Sequence, residues 1–258
     1  MPYLTDPILS ACIVLYHSPA EVLKTVQCLQ DSDIMMDLFI VDNSPEDSVG
    51  NQIRWQCPGV TYLPQASNRG FGAGHNAVLP NLRSRYHLIC NPDVTFSPDL
   101  LSRMVAFMEQ HPDIAVLTPH VVNEDGSEQF LPKRHPTIRY LLGGRLEKRG
   151  SPFAEWRAEY TMANVGLTVP TSVEYATGCF MLVRTAYFRQ LGGFNEKFFL
   201  YHEDSDLSRR MLRKGAIVYH PDMTICHAWA RESTHSRKAI MHHIASTIRY
   251  FNLWGWKW

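Results

Sequence analysis

Two acidic stretches and one late histidine supply the residue types that group-transfer chemistry needs. The first stretch is Leu88-Ile89-Cys90-Asn91-Pro92-Asp93-Val94. Its apolar lead-in reads as a short buried strand. Pro92 stops the ladder because it has no N–H to donate, so Asp93 stands at the strand's carboxyl end. Ligands of open α/β sheets bind outside that end. A carboxylate there can hold a hard divalent cation, which in turn can hold a diphosphate. The second stretch is His202-Glu203-Asp204-Ser205-Asp206-Leu207, at a helix start. A first-turn carboxylate complements the helix dipole by about 0.3–1 kcal/mol and needs no further role. A general base is the other reading. The dipole lowers carboxylate basicity, repulsion among the acids at 203, 204 and 206 raises it, and the sequence leaves the balance open. His227 is a candidate metal ligand, but a lone histidine is as readily a packed one. It lies 134 positions from Asp93, so spacing does not say whether the two meet.

Three further segments carry polar or flexible chemistry. Asp42-Asn43 follows the apolar run Leu38-Phe39-Ile40-Val41. A carboxylate there suits the base or ribose of a nucleotide, and Asp-Asn equally suits a plain turn. Asn68-Arg69-Gly70-Phe71-Gly72-Ala73-Gly74-His75-Asn76 has glycines at 70, 72 and 74, which let backbone approach a ligand closely. This is neither the GxGxxG pattern nor a P-loop. Arg69 adds a guanidinium suited to phosphate. Lys133-Arg134-His135-Pro136 is a small basic cluster.

The elements that must position these groups follow from periodicity. Ser10 to Tyr16 is a continuous apolar run, as in a strand buried on both faces. Ser18-Pro19-Ala20-Glu21 reads as a capping box opening a helix, and strand, helix, strand makes a βαβ unit. Val60 to Leu63, Tyr86 to Cys90 and Ile114 to Leu117 read as further strands. Ser97-Pro98 opens a helix with Leu100, Leu101, Met104, Val105 and Met108 inward. Residues 1–122 therefore alternate as a parallel doubly wound sheet does. Residues 123–172 read as a loop-rich, partly mobile insertion facing substrate, because turn signals such as Gly143-Gly144 dominate. A strand is expected over Val173 to Val183, with Thr177-Gly178 inside it, a glycine that marks a bulge or a close approach. A helix runs from His202 to about Lys214, and Ile217 to Tyr219 and Ile225 to Trp229 follow. From 235 to 254 Ile240, Ile244, Ile248 and Phe251 form a helical stripe, with Arg237, Lys238, His242, Ser246 and Arg249 mostly away from it. Trp254, Trp256 and Trp258 follow. That helix either packs on the core or lies in a membrane interface, where indoles prefer to sit.

Composition excludes several classes. The chain has 258 residues, with Lys+Arg and Asp+Glu both 25, so phosphate attraction does not dominate and no nucleic-acid partner is expected. The six cysteines form no CxxC pair, which speaks against a zinc cluster or redox motif and for a reducing compartment. A secretory leader is not expected from the first residues, nor a transmembrane helix, since no run of about 18 apolar residues occurs.

Taken in order, Asp42-Asn43, Asn68 to Gly72, Asn91-Pro92-Asp93, Thr177-Gly178, Glu203-Asp204-x-Asp206-Leu207 and His227 resemble a family 2 glycosyltransferase of the GT-A fold. Within it the chain is most similar to bacterial rhamnosyltransferases of O-antigen and cell-wall polysaccharide assembly, over residues 8–252. The resemblance implies an α/β, Rossmann-like, mostly parallel sheet flanked by helices, a C-terminal acceptor-binding part and an amphipathic terminal helix. It divides the chain into a nucleotide-sugar half (1–122), an acceptor-binding and catalytic half (123–234) and the terminal helix with its Trp-rich tail (235–258).

The resemblance also implies roles. Tyr16, Asp42, Asn43, Asn68, Arg69, Gly70, Phe71, Asn76 and Asn91 would line the nucleotide-sugar site. Asp93 would bind Mg²⁺ or Mn²⁺ with His227, the family's DxD being reduced here to its last residue because Asn91 replaces the first. Asp204, with Glu203 beside it, would be the catalytic base. Thr177, Gly178 and Arg134 would meet the acceptor. The implied reaction is an inverting transfer, with dTDP-L-rhamnose as the donor expected first and a UDP- or GDP-sugar as the alternative. The implied acceptor is a polyprenyl-diphosphate-linked saccharide at the inner face of the cell membrane, reached through the terminal helix. A nucleotidyltransferase would carry a Gly-rich loop with a basic residue near its N-terminus, which this chain lacks. A non-catalytic nucleotide-sugar-binding module would not need Asp204.

Overall fold

The computed structural model describes residues 7–46, 48–228 and 237–258. Positions 1–6, Trp229 and the expected helix start at 235 and 236 lie outside the described residues, as do the side chains of Arg237 and Lys238.

The first half builds as its periodicity predicts. Strands β1 (Leu9–Leu15), β2 (Met36–Asp42), β3 (Val60–Pro64) and β4 (Tyr86–Cys90) alternate with helices α1 (Val22–Gln30), α2 (Ser48–Gln56) and α3 (Phe71–Asn76). Helix α1 starts later than the expected box, because the Ser18 hydroxyl accepts from the Tyr16 N–H at 3.3 Å and a turn at Pro19 intervenes. Strand β5 (Val94–Phe96), helix α4 (Leu100–Gln110) and strand β6 (Ile114–Val122) follow.

Residues 123–172 depart from expectation. They carry a pair of packed helices, α5 (Ile138–Leu146) and α6 (Phe153–Tyr160), and a short strand β7 (Thr171–Ser172). Gly143 is a contact here and not a turn: a Cβ on it would stand 2.9 Å from Trp156 Cβ. The chain returns as β8 (Phe180–Arg184), shorter than the predicted strand, then α7 (Thr185–Gln190), α8 (Glu203–Met211), the long β9 (Ala216–His227) and α9 (Arg237–Trp254).

One sheet collects these strands in the order β3-β2-β1-β4-β8-β6-β9-β5, with β7 on β9. It is parallel from β3 to β4. Strand β8 then enters antiparallel between β4 and β6, and β9 runs parallel to β6 but antiparallel to β5. The two halves of the chain thus share one mixed sheet. The period-two alternation of β1 divides the core. Leu9, Ala11, Ile13 and Leu15 face α1 and α4 (Val26, Leu29, Leu101, Met104), whereas Cys12 and Val14 face α7 and α8 (Phe188, Leu207, Met211).

Register brings the candidate residues to one edge. Leu15 pairs with Asp42 and Ile13 with Cys90, so the carboxyl ends of β1, β2 and β4 are level. Cys90 pairs with Phe180, and antiparallel β8 therefore presents its amino end, preceded by Thr177 and Gly178, at that same edge. Val94 pairs with His227, which puts the end of β9 beside Asp93.

Candidate active site

A cavity of about 230 Å³ opens at this edge, lined among others by Phe71, Asn91, Thr177, Gly178, Glu203, Asp204 and His227. Residues far apart in sequence share it because ends of β4, β8 and β9 and the start of α8 meet there.

Asp204 sits in the first turn of α8. Its Oδ2 accepts from the Tyr175 hydroxyl at 2.8 Å and from the Gly178 N–H at 3.0 Å, and its Oδ1 from the Ser205 N–H at 2.8 Å. These bonds hold the carboxylate in one orientation. Gly178 is needed for the approach: a Cβ would lie 3.1 Å from the Phe71 ring and 3.5 Å from Asp204 Cβ. Burial, and then the Asp204 charge, pushes the Tyr175 hydroxyl well above its ordinary range, so it stays a donor. Glu203 differs from its neighbour. It is 6% exposed, and its Oε2 has no partner among the described residues. Burial first and the adjacent Asp204 charge second push its carboxyl well above the usual carboxylate range. The pair therefore divides into a neutral Glu203 and a fully hydrogen-bonded Asp204, the separation of neighbouring acids that acid–base sites exploit.

His227 closes the opposite end. Its Nδ1 lies 3.1 Å from Gln129 Oε1, and Gln129 Nε2 donates to the His227 carbonyl at 2.7 Å and to Asn123 Oδ1 at 2.8 Å. With the Gln129 amide thus oriented, its oxygen accepts, so Nδ1 carries the proton and Nε2 a lone pair. The Asn91 amide donates to that Nε2 at 3.2 Å. Asp93 Oδ1 also lies 3.2 Å from Nε2 and has no hydrogen-bond donor. Two acceptors face each other across the gap, an arrangement that a bound cation relieves. A neutral imidazole fixed by its other nitrogen and one carboxylate form a fitting partial donor set, which diphosphate oxygens and water would complete. Among the described residues no group of three or more His, Cys, Asp or Glu could hold a metal.

The other expected residues stand as follows. Asp42 is buried, with Oδ1 taking the Ser44 N–H and hydroxyl and Oδ2 taking the Tyr62 hydroxyl at 2.6 Å. Asn43 donates to the Gly70 carbonyl at 3.4 Å, joining the β2 end to the Gly-rich loop. Tyr16 stands 53% exposed beyond β1. Asn68 Oδ1 accepts from the Gly70 N–H at 2.8 Å. Gly70 adopts φ +90°, and a Cβ there would meet the Phe199 carbonyl at 2.1 Å, so the loop requires glycine. Arg69 pairs with Glu196 at 2.5 Å on the surface. Asn76 exchanges hydrogen bonds with Phe194 and Glu196 and tethers α3. Arg134 donates its N–H to the Tyr160 carbonyl at 2.9 Å. None of Tyr16, Asp42, Arg69, Asn76 and Arg134 lines the cavity.

Gln129 and Tyr175 escaped sequence reasoning, and Lys133 was expected only jointly with Arg134, as a basic cluster able to meet an acceptor pyrophosphate. Lys133, not Arg134, is the cluster's cation in the cavity. A signal existed: Gln129, Leu131 and Lys133 alternate at period two, and all three line the cavity.

Comparison with known proteins bears on the family and the fold. A family model described as Glycosyl transferase family 2 matches residues 10–192, and one described as the N-terminal domain of galactosyltransferase matches residues 161–235. The N-acetylglucosaminyl-diphospho-decaprenol L-rhamnosyltransferase of Mycobacterium tuberculosis is 26% identical over 206 residues, which is 74% of this chain and 66% of that one. Rhamnosyltransferase WbbL of Escherichia coli K12 is 24% identical over 255 residues, 92% of this chain and 90% of that one. Among solved structures, mannosyltransferase PcManGT from Pyrobaculum calidifontis, in complex with GDP-Man and Mn²⁺, superposes with a TM-score of 0.62 at 14% identity, covering 95% of this chain and 65% of that one.

Proposed function

The chain belongs to glycosyl transferase family 2, and we propose that it is an inverting transferase that moves L-rhamnose from dTDP-L-rhamnose onto a polyprenyl-diphosphate-linked saccharide. The observation that carries this reading is a cavity lined by Asp204 and His227, with Asp93 Oδ1 3.2 Å from the His227 Nε2. The names of the two rhamnosyltransferase relatives support the sugar, and the mycobacterial relative's name supports a lipid-linked acceptor.

The chemistry follows from the chain's own groups. The acceptor hydroxyl approaches Asp204, which takes its proton as the oxygen attacks the anomeric carbon. Tyr175 and Gly178 aim the carboxylate, and neutral Glu203 adds no second negative charge beside it. The leaving nucleoside diphosphate departs toward Asp93 and His227. A divalent cation held by these two residues would neutralise its charge. Asp42 and Asn43, at the end of β2, and the loop from Asn68 to Phe71 are assigned to the nucleoside side, and Thr177 and Gly178 to the acceptor side. Phe71, Leu131 and Leu200 give the cavity apolar walls that limit water.

The exposed face of α9 fits work at the inner membrane surface. Ile244 and Ile248 are 49% and 46% exposed, and Trp256 and Trp258 are 59% and 69% exposed. The buried face is instead Ala239, Ser246, Tyr250 and Phe251. The stripe expected from the sequence therefore splits, with Phe251 inward and the isoleucines outward. No helix among the described residues is long and apolar enough to cross a membrane.

The test is transfer of radiolabelled sugar to a lipid-linked GlcNAc from dTDP-, UDP- and GDP-sugars, with and without Mn²⁺, for wild type and Asp204→Asn. We expect dTDP-rhamnose to serve and Asp204→Asn to lose turnover by about 10²–10⁴-fold with donor binding intact. Near-wild-type turnover in that variant refutes the base assignment. Donor binding without transfer or hydrolysis favours the binding-module alternative.

A further inference from the structure

One charged group in the cavity has no role in the chemistry above. Lys133 lies over the rings of Tyr175 and Tyr160, its amine 5.3 and 5.9 Å from their centroids. Among the described residues the amine has no hydrogen-bond or ion-pair partner. Burial pushes it down to about 8, against the opposing effect of the Asp204 charge. Aromatic faces hold an ammonium by its charge and leave its N–H donors free for another ligand.

The wall that carries Lys133 orders the cavity. Gln129 grips His227, the Leu131 carbonyl meets the Thr177 hydroxyl at 3.4 Å, and the Lys133 N–H bonds the Tyr175 carbonyl at 3.3 Å. The wall therefore starts at the Asp93–His227 pair and reaches Lys133 beside Tyr175, whose hydroxyl holds Asp204. The neighbouring residues Glu128, Phe130 and Pro132 line a separate cavity of about 380 Å³, whereas Gln129, Leu131 and Lys133 line the catalytic one. In the reading above the leaving diphosphate lies at the His227 end and the attacked hydroxyl at Asp204. A cation stacked on the tyrosine that holds the base lies toward the acceptor.

We infer that Lys133 is the anion anchor of the acceptor, binding a phosphate oxygen close to the saccharide that is extended. This rests on the transferase reading and assigns the residue that would read its diphosphate-linked acceptor: acceptors with a phosphate on the reducing end are preferred, through Lys133, over the same sugar as a neutral glycoside. The charged and titratable groups facing the amine are Asp204 on α8, Arg157 and Tyr160 on α6, Tyr175 and Cys179 on the segment before β8, and His202 ahead of α8. Of these only Asp204 is an anion, and it already accepts three hydrogen bonds.

The test compares farnesyl-diphosphate-linked GlcNAc with octyl GlcNAc as acceptors for wild type, Lys133→Gln and Lys133→Arg. Loss of one charge-assisted contact should raise KM for the diphosphate acceptor by about tenfold or more in Lys133→Gln. Donor KM and activity on octyl GlcNAc should stay, and Lys133→Arg should keep most of the preference. In wild type, KM for the diphosphate acceptor should rise above about pH 8 as the amine loses its proton, and that rise should vanish in Lys133→Arg. A raised donor KM in Lys133→Gln would assign the anion to the donor and overturn the inference. Equal losses on both acceptors, or no loss on either, overturn it too. If wild type binds donor yet glycosylates neither acceptor, the transferase reading itself fails, an outcome visible without any variant.

Discussion

Replacing Gln129 by leucine tests the proposed metal site apart from the fold. Gln129 is 9% exposed and bonds both the ring and the carbonyl of His227, at 3.1 and 2.7 Å. Its removal strands the Nδ1 proton, and an unmet buried donor costs about 1–3 kcal/mol. The imidazole escapes most of this by shifting its proton to Nε2, which then donates to Asp93 Oδ1, 3.2 Å away. The new bond keeps the protein folded but occupies both atoms assigned to the cation. Losses of this orienting kind run to about 10–100-fold in metal affinity, or about 1.4–2.7 kcal/mol. The assay is calorimetric titration of Mn²⁺ with nucleoside diphosphate present, beside thermal melts of both proteins. We expect weaker Mn²⁺ binding in a protein that still folds, with stability in the melts lowered by about 1–3 kcal/mol for the bond that the His227 carbonyl loses. Unchanged Mn²⁺ affinity in a folded Gln129→Leu protein would show that His227 needs no orienting partner, or holds no metal.

Two other expectations concern stability and surface. Burial pushes His87 and His202 down to about 3, whereas unfolded they titrate near 6.5. Below 6.5 the unfolded chain therefore binds protons that the native one refuses. Stability should fall as pH drops from 6.5 toward 3, by up to about 1.4 kcal/mol per pH unit for each histidine. Glu203, raised in the folded state, opposes this with the reverse slope above its unfolded value of 4.5, where only the folded chain holds its proton, and ceases to do so below it. Urea unfolding at pH 7, 6 and 5 measures the slope, and a flat profile would contradict neutral buried imidazoles. For α9, Ile244→Glu with Ile248→Glu should abolish co-sedimentation with anionic lipid vesicles. Each lost apolar insertion is worth roughly 1.5–3 kcal/mol, and the melting temperature should hold because both side chains are exposed. Binding equal to wild type would remove α9 from the membrane assignment.

Periodicity alone made much of the scaffold legible. The apolar runs of β1, β2, β4 and the first part of β6, and the inward face of α4, follow from local burial patterns that need no knowledge of neighbours. The α5–α6 pair was not legible. Its helices lack a clean apolar stripe, and Gly143 reads as a turn until Trp156 is seen against it. The stripe of α9 was read as one face, yet which part turns inward depends on Leu200, whose carbonyl takes the Ser246 hydroxyl, and on Phe198, which packs against Tyr250 and Phe251.

The candidate site divides in the same way. Asp93 and Asp204 were visible as residue types at element ends, because a carboxylate where an apolar run stops or a helix starts is a local feature, whereas His227 was expected within a run from Ile225 to Trp229 and instead closes β9. Whether they meet was not local. The antiparallel entry of β8 and the pairing of β9 with β5 decide that, by bringing positions 93, 178 and 227 to one edge. The roles within the Glu203–Asp204 pair also needed tertiary contacts. Both share one helix dipole, and only burial of the first and the donors Tyr175 and Gly178 around the second separate them. Sequence by itself determined which groups stand at the ends of which strands. Long-range packing alone decided which of those groups are dry, which are hydrogen-bonded and which face one another, since desolvation and hydrogen bonding depend on neighbours that the chain brings from far away.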